Sequence, residues 1–391
     1  MKLMRIIYDH QIFTWQNYGG ISRYFCELMD QFSADPCIQY TLALRYSNNE
    51  NLRQRSSLIS HWSGKSVFWS GWPSQVSHLI QNTTPHVDPL NLFRINKFES
   101  VRLLKKKEFD LFHPTYYDPY FLKRLGKKPF VLTVHDMIHE IYPTYFSRWD
   151  ILKKGWKKQL IENADAIIAI SKNTREDILR LTNADPDRIS VIYHGNPFES
   201  LKPLLSDKTD PVPPEKKYLL FVGNRAGYKN FVFFIRSVAG LLKNDAELSV
   251  LCAGGGSFSQ RELCLLRDLG ILSKVHYVPI DEPTLRSLYR NAQAFVFPSL
   301  YEGFGFPLLE AFSCGCPVIA SRSSSLPEVA GEAVSYFDPE NAESIMQGIE
   351  VVLSDSQYRD SLIRKGYDQL KLFSWKITAH ETKRVYDTLI N

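Results

Sequence analysis

Residues 299–317 read SLYEGFGFPLLEAFSCGCP. Two glutamates, Glu302 and Glu310, stand eight positions apart, with Gly303, Gly305 and Pro307 between them. The spacing predicts a strand ending at Phe295–Pro298, a glycine turn, and a helix opening at Pro307, where the missing N–H costs nothing. Gly303 and Gly305 permit unusual backbone angles and close approach of a ligand. The N–H groups of the turn and of the first helical residues can then hold an anion such as a diphosphate. Glu302 is expected before the helix and Glu310 in its first turn. A carboxylate does not itself hold a phosphate, so these two would accept hydrogen bonds from hydroxyls. An anion site with hydroxyl acceptors on both sides describes a sugar nucleotide. Glu310 alone fits a plain capped helix, its acid favouring the dipole, equally well; the whole string favours chemistry.

The elements that must carry this string follow from the rest of the chain, which alternates short apolar runs with helical stretches, the pattern of parallel α/β architecture. In the first half MRIIYDHQ, YTLALRY, LFHPTYY, FVLTVHD, AIIAIS and ISVIYHG read as strands. GGISRYFCELMDQF places Ile21, Phe25, Leu28 and Phe32 at helical spacing. Residues 202–217, KPLLSDKTDPVPPEKK, have linker composition. The pattern restarts with YLLFVGN, LSVLCAG, VHYVPI, AFVFPS and PVIAS. Two Rossmann-like, doubly wound domains result, 1–200 and 201–391. They face each other across a cleft, since such sheets bind ligands at the carboxyl ends of their strands. Residues 340–391 read as helical, interrupted at Gly366 and at FSW 373–375. The last helix, about 373–391, is a candidate to cross back to the first domain.

A chain of 391 residues exceeds one ordinary core. Its 44% hydrophobic and 23% charged residues are those of a globular protein. A net charge of +5 and a pI of about 8.7 suit anionic substrates or an acidic membrane surface and fall short of a nucleic-acid-binding stripe. No apolar run reaches the roughly 18 residues of a membrane span, and the N-terminus reads as a first strand rather than a signal. The six cysteines form no CxxC pair and read as reduced thiols of a cytoplasmic protein.

YEGFGFPLLEA, with GCPVIAS and SSLPEV after it, resembles the signature of family 4 of the retaining, nucleotide-sugar-dependent glycosyltransferases, which have the GT-B fold. YGGISRYF, TVHDMIHE, VIYHGNP and LLFVGNRAGYKN resemble that family's N-terminal glycine loop, histidine strand end, interdomain crossing and phosphate-binding strand–loop. The resemblance therefore covers nearly the whole chain. It implies an acceptor-binding first domain and a donor-binding second one. Glu310 would bond the donor ribose and Glu302 the hydroxyls of the transferred sugar. Gly303, Phe304, Gly305, Phe306 and Leu308 would form the donor turn, with N–H groups near Gly305, Phe306 and Leu308 meeting the phosphates. Lys229, with Arg225, would neutralise the leaving diphosphate. His135 would face the sugar from the first domain, and Gly19 and Gly20 would shape the cleft wall near diphosphate and acceptor. Many relatives carry arginine directly after the glycine of the phosphate strand; here Asn224 stands there and Arg225 follows, which leaves the reach of Arg225 open. Retention also follows from the resemblance alone. No carboxylate for a double displacement is identifiable, so the expected reaction is same-face, with the departing phosphate taking the acceptor's proton.

No cofactor and no metal is expected. Asp185-Pro186-Asp187 imitates a metal-binding D-x-D but sits where a cap or turn explains it. Gly254–Gly256 reads as a tight turn beside the nucleotide rather than a dinucleotide fingerprint, because no acidic residue follows at the required distance. NLFRINKFESVRLLKKKEF and YFSRWDILKKGWKKQL are basic and partly amphipathic. Their plainer reading is helices packed on a sheet, with Lys153, Lys154, Lys157 and Lys158 solvated; the other is peripheral contact with anionic lipid, where a lipid-linked acceptor would reside. His139 and His194 are weaker cleft candidates; Asp9 and His10, at the end of the first strand, fit turn geometry and a cleft contact equally well. The activity expected is transfer of a hexose to a saccharide or lipid-linked acceptor in surface polysaccharide assembly. GDP-mannose is the first donor candidate, with UDP-glucose and dTDP-rhamnose behind it. A sugar phosphorylase on the same fold and a non-catalytic sugar-nucleotide binder are the alternatives.

Overall fold

A computed structural model describes residues 3–63, 89–146, 148–199, 217–225 and 227–390. The first half builds two three-stranded parallel sheets. One runs β2-β1-β3, from β1 (Met4–Tyr8), β2 (Ile38–Leu42) and β3 (Leu111–His113). The other runs β4-β5-β6, from β4 (Val131–Val134), β5 (Ala166–Ala169) and β6 (Ile189–Val191). A parallel bridge between Phe112 and Phe130 joins them edge to edge. The second half is one six-stranded parallel sheet of β7 (Tyr218–Val222), β8 (Ser249–Ala253), β9 (Val275–Val278), β10 (Ala294–Phe297), β11 (Val318–Ser321) and β12 (Val334–Phe337), in the order β12-β11-β10-β7-β8-β9. Strands β7, β8, β10 and β11 are buried at every residue, as helices on both faces of a parallel sheet require.

That order places the site. The chain leaves β7 toward β8 and β9, then returns to pair β10 against the other side of β7. The loops after β7 and β10 therefore diverge, and the crevice between them is the switch point where open α/β sheets bind ligands. The loop after β7 carries Arg225 and Lys229; the loop after β10 carries Glu302.

Several expectations are corrected. β2 begins at Ile38, so YTLALRY supplies only its second half. β12, which joins the sheet edge, was not anticipated: VSYF is four residues and shows no clean alternation. Gly366 interrupts nothing, because the helix Ser356–Leu370 runs through it. A Cβ there would lie 2.8 Å from the Phe312 ring, so the glycine serves close helix packing. Lys157 is not solvated: its ammonium is buried against the Asp136 carbonyl at 3.0 Å and the Glu140 carboxylate at 3.1 Å. The side chains of Lys153 and Lys154, and linker residues 202–216, lie outside the described residues.

The helix Trp375–Ile390 packs on the helix Gly20–Ser33 and on β3 and β5 of the first half. Tyr386 places its hydroxyl 2.6 Å from His113 Nδ1 and 3.0 Å from the Tyr8 hydroxyl. The two segments that pass between the halves are bonded to each other. Trp375 donates its indole N–H to the Asn196 carbonyl at 2.9 Å and its backbone N–H to Glu199 at 3.0 Å, and Asn196 N–H donates to the Phe373 carbonyl. A Cβ on Gly195 would sit 2.3 Å from the Trp375 nitrogen, so only glycine allows this approach. Among the described residues no helix is long and apolar enough to cross a membrane.

Candidate functional site

The glycine turn forms as its residues dictate. Gly305 caps the helix Phe306–Ser313 with φ of +115°, a left-handed conformation open to glycine. Leu308 N–H is spent on the Gly305 carbonyl at 3.0 Å and its side chain is core, so it is not the anion donor expected of it. Gly305 and Phe306, at the helix start, have no preceding helical carbonyls to bond. Phe304 is also core, packed edge-on to Phe306 and Phe373. Two serines after β11 fix the turn. Glu302 N–H donates to Ser324 Oγ at 2.8 Å, and Ser325 Oγ lies 2.8 and 2.9 Å from the carbonyls of Glu302 and Phe304.

Glu302 and Lys229 meet across the switch point, Lys229 Nζ to Glu302 Oε1 at 2.6 Å, with both side chains largely buried. Glu310 lies in the second helical turn rather than the first. It is 9% exposed and accepts the Tyr289 hydroxyl at 3.1 Å through Oε2. Burial raises its pKa against the opposing pull of Arg23.

Arg225 does not face the crevice. Its guanidinium donates to the carbonyls of Gly254, Gly256 and Ser257 at 2.8–3.0 Å and to Glu262 Oε1 at 2.6 Å, and it stacks on Phe258. The three glycines 254–256 all have positive φ, a turn that no β-carbon would favour, and Arg225 ties its carbonyls together. The tight turn beside the second sheet is therefore built by Arg225, four of whose five N–H donors are used within it.

From the first half, His135 comes to the turn at the end of β4. A Cβ on Gly303 would lie 1.9 Å from the His135 carbonyl, so Gly303 is the residue that lets the halves close. His135 Nε2 is buried with no protein partner. Burial, with some help from Lys157, lowers its pKa to about 4, so the ring is neutral at pH 7. Burial alone would raise the neighbouring Asp136 carboxyl, but Lys157 and His139 hold it below its usual range. Gly20 meets Phe306, whose ring would be 3.0 Å from an added Cβ, while Gly19 opens the helix with its carbonyl taking Asn51 Nδ2. His194 stacks on Phe306 at 4.9 Å with Nδ1 unpartnered. Asp185 caps the short helix Pro186–Arg188 by accepting Asp187 N–H, as the turn reading expects.

Sequence reasoning missed the residues that clasp the halves. Arg23, buried, donates to the Tyr18 hydroxyl at 2.7 Å and to Glu282 across the cleft at 3.1 Å. Glu328 accepts the N–H groups of Lys172 and Asn173, at the start of the helix Lys172–Leu181, at 2.9 and 3.1 Å, together with the Tyr193 hydroxyl. Tyr301 donates to Asp177 at 2.7 Å. Glu328 lies in the SSLPEV string, which names none of its partners.

Comparison with known proteins agrees with this geometry. The profile described as "Glycosyl transferases group 1" matches residues 206–369, and that of "Glycosyltransferase Family 4" matches residues 18–197. The O-antigen chain mannosyltransferase B of Escherichia coli is 30% identical over 298 residues, covering 72% of this chain and 75% of its own. A D-inositol 3-phosphate glycosyltransferase of Corynebacterium glutamicum is 26% identical over 309 residues, covering 73% of this chain and 74% of its own. HepE of Anabaena, solved with UDP and glucose, superposes with a TM-score of 0.70 over 99% of this chain and 100% of its own, at 14% identity. On these grounds the chain belongs to the family 4 glycosyltransferases and has their GT-B fold.

Proposed function

We propose that this glycosyltransferase moves a hexose from a nucleotide-diphosphate sugar to a saccharide or lipid-linked saccharide, with retention and without a metal, in polysaccharide assembly. GDP-mannose is the first donor candidate, supported by the mannosyltransferase among the relatives; UDP-glucose and dTDP-rhamnose follow. The observation that carries the reading is the Lys229–Glu302 pair at the switch point, opposite a buried His135 whose Nε2 lacks a partner. The ammonium suits a diphosphate, and Glu302 and the orphaned imidazole suit sugar hydroxyls. Glu310 Oε1, on the far side of the helix start, suits the ribose.

In this reading the acceptor oxygen attacks the anomeric carbon on the face the leaving group departs from. The anomeric C–O bond to the β-phosphate breaks, and a phosphate oxygen takes the acceptor's proton. Negative charge grows on the nucleoside diphosphate, where Lys229 and the N–H groups of Gly305 and Phe306 stabilise it without reorganisation. His135, neutral and buried, orients the sugar rather than donating charge. Gly19 and Gly20 leave room for diphosphate and acceptor. A location at the inner membrane face would follow from a lipid-linked acceptor; Phe98, 66% exposed on the basic helix Pro89–Lys106, and Trp156 are the apolar groups such a contact would use.

The test is release of nucleoside diphosphate from GDP-mannose, UDP-glucose and dTDP-rhamnose by the purified chain, with EDTA present throughout. Release from one donor under EDTA supports the reading and names the sugar. Activity appearing only on adding Mg²⁺ or Mn²⁺ overturns the metal-independent mechanism. An inverted anomer in the product spectrum overturns retention.

A further inference from the structure

Tyr301 directly precedes Glu302, yet its side chain leaves the donor half altogether. Its hydroxyl is buried in the first half, donating to Asp177 Oδ2 at 2.7 Å and accepting Met137 N–H at 3.4 Å. Met137 lies two residues beyond His135. Asp177 is held in turn by Asn173 Nδ2 at 3.0 Å and Arg180 at 2.5 Å, so the acceptor is fixed before the tyrosine arrives. Thr174 Oγ1, on the same helix, lies 3.4 Å from the Gly303 carbonyl on the other side of Glu302. The residues flanking Glu302 are thus both bonded to the half that carries His135.

We propose that Tyr301 is a positioning residue whose hydroxyl, seated between Asp177 and Met137, sets the register of Glu302 against His135 when the two domains close. The physical case rests on direction rather than strength. In an open form water would satisfy both the hydroxyl and the carboxylate, so forming this bond adds little net free energy to closure. Once water is excluded, the Tyr301 hydroxyl finds this pre-set carboxylate at one place only, because leaving the hydroxyl unpaired in the interior is costly. A sliding of the two domains by a fraction of a bond length breaks the pair, and closure is therefore accepted only in one register. Group transfer is sensitive to such misplacement, while the nucleotide, held by the second domain alone, is not. Tyr301 would act on turnover and leave nucleotide affinity alone. The inference rests on the transfer reaction proposed above.

The experiment uses the full chain with GDP-mannose, or whichever nucleotide sugar of the panel the wild type hydrolyses. Tyr301→Phe keeps the ring and removes the hydroxyl; Asp177→Ala removes the carboxylate that accepts it. Each is expected to lower kcat about 10–100-fold, the loss of one buried hydrogen bond in the reacting state. The dissociation constant of the matching nucleoside diphosphate, by calorimetry, should stay within about twofold, since no contact to it is altered. The double variant should be no slower than the worse single one, because both remove the same contact. A wild-type-like kcat in Tyr301→Phe overturns the inference, as do parallel losses of kcat and nucleotide affinity or additive losses in the double variant. A wild type inert on every donor overturns the transfer reading, and this inference with it. An active wild type beside an unaffected Tyr301→Phe overturns this inference alone.

Discussion

Lys229 and Arg225 stand four positions apart in one loop, and their surroundings give them different tasks. Lys229 has one carboxylate partner and lies on the crevice; Arg225 is enclosed by three carbonyls, a carboxylate and an aromatic face. Lys229→Met is expected to lower kcat about 10–150-fold, the worth of a charge-assisted bond to the leaving phosphate, with the melting temperature little changed. Arg225→Met should do the reverse, lowering the melting temperature and weakening nucleotide binding through a loosened 254–257 turn. Thermal melts with and without nucleoside diphosphate, set beside turnover, separate the two. Equal effects on both readouts in both variants would contradict this division. The sequence shows both cations in the loop after the strand YLLFVGN, and the glycine run as a turn. It does not show that the turn's carbonyls lie within reach of Arg225, because that pairing joins the ends of two neighbouring strands.

At the scale of elements, the glycine turn is the part most legible in the sequence. Its chemistry is contiguous: Glu302, Gly303, Gly305 and the helix behind them are fixed by local backbone preference. The clasp is the opposite case. Arg23 and Glu282 are 259 positions apart, Glu328 and Lys172 are 156 apart, and Tyr301 and Asp177 are 124 apart. Each is an ordinary surface residue until the domains meet, so no periodicity or spacing marks it. Gly366 shows a related limit: a helical glycine costs about 1 kcal/mol and reads as a break, whereas here it admits the Phe312 ring. Gly303 gives the sharpest test of closure. Gly303→Ala should fold normally, with a melting temperature close to that of the wild type, because its own backbone is unstrained. It should lose most of its turnover, since the new methyl occupies the place of the His135 carbonyl. Full activity in Gly303→Ala would mean that the reacting form is more open than this one.

Across the whole molecule, four buried histidines set the response to acid. Burial lowers His10 and His113 to about 3 and His135 to about 4, and pushes His194 well below its usual range. In the unfolded chain each takes a proton near pH 6.5, so below that pH the unfolded state binds more protons and stability falls. Each contributes about 1.4 kcal/mol of loss per pH unit between 6.5 and its folded value. Asp9, Glu27 and Glu310, raised by burial, act in the opposite sense, because in the folded state they take protons at a pH where their unfolded forms are still ionised. Melting temperature should therefore fall from pH 6.5 down to about pH 4, where His135 begins to take its proton in the folded state; a profile level from pH 7 to 5 would contradict it. The paired crossings at Asn196 and Trp375 bear on how such a protein can be rebuilt. The helix Trp375–Ile390, with Tyr386 bonded to His113, completes the wall of the first domain although it follows the second sheet in the chain. Cutting at residues 201–216 does not yield two modules. A chimera that exchanges the second half for another must graft an internal segment, from about 217 to 372, and return the native helix Trp375–Ile390 with the first half. A ribosome making this chain must likewise pass through the whole second sheet before the N-terminal domain has its full set of walls.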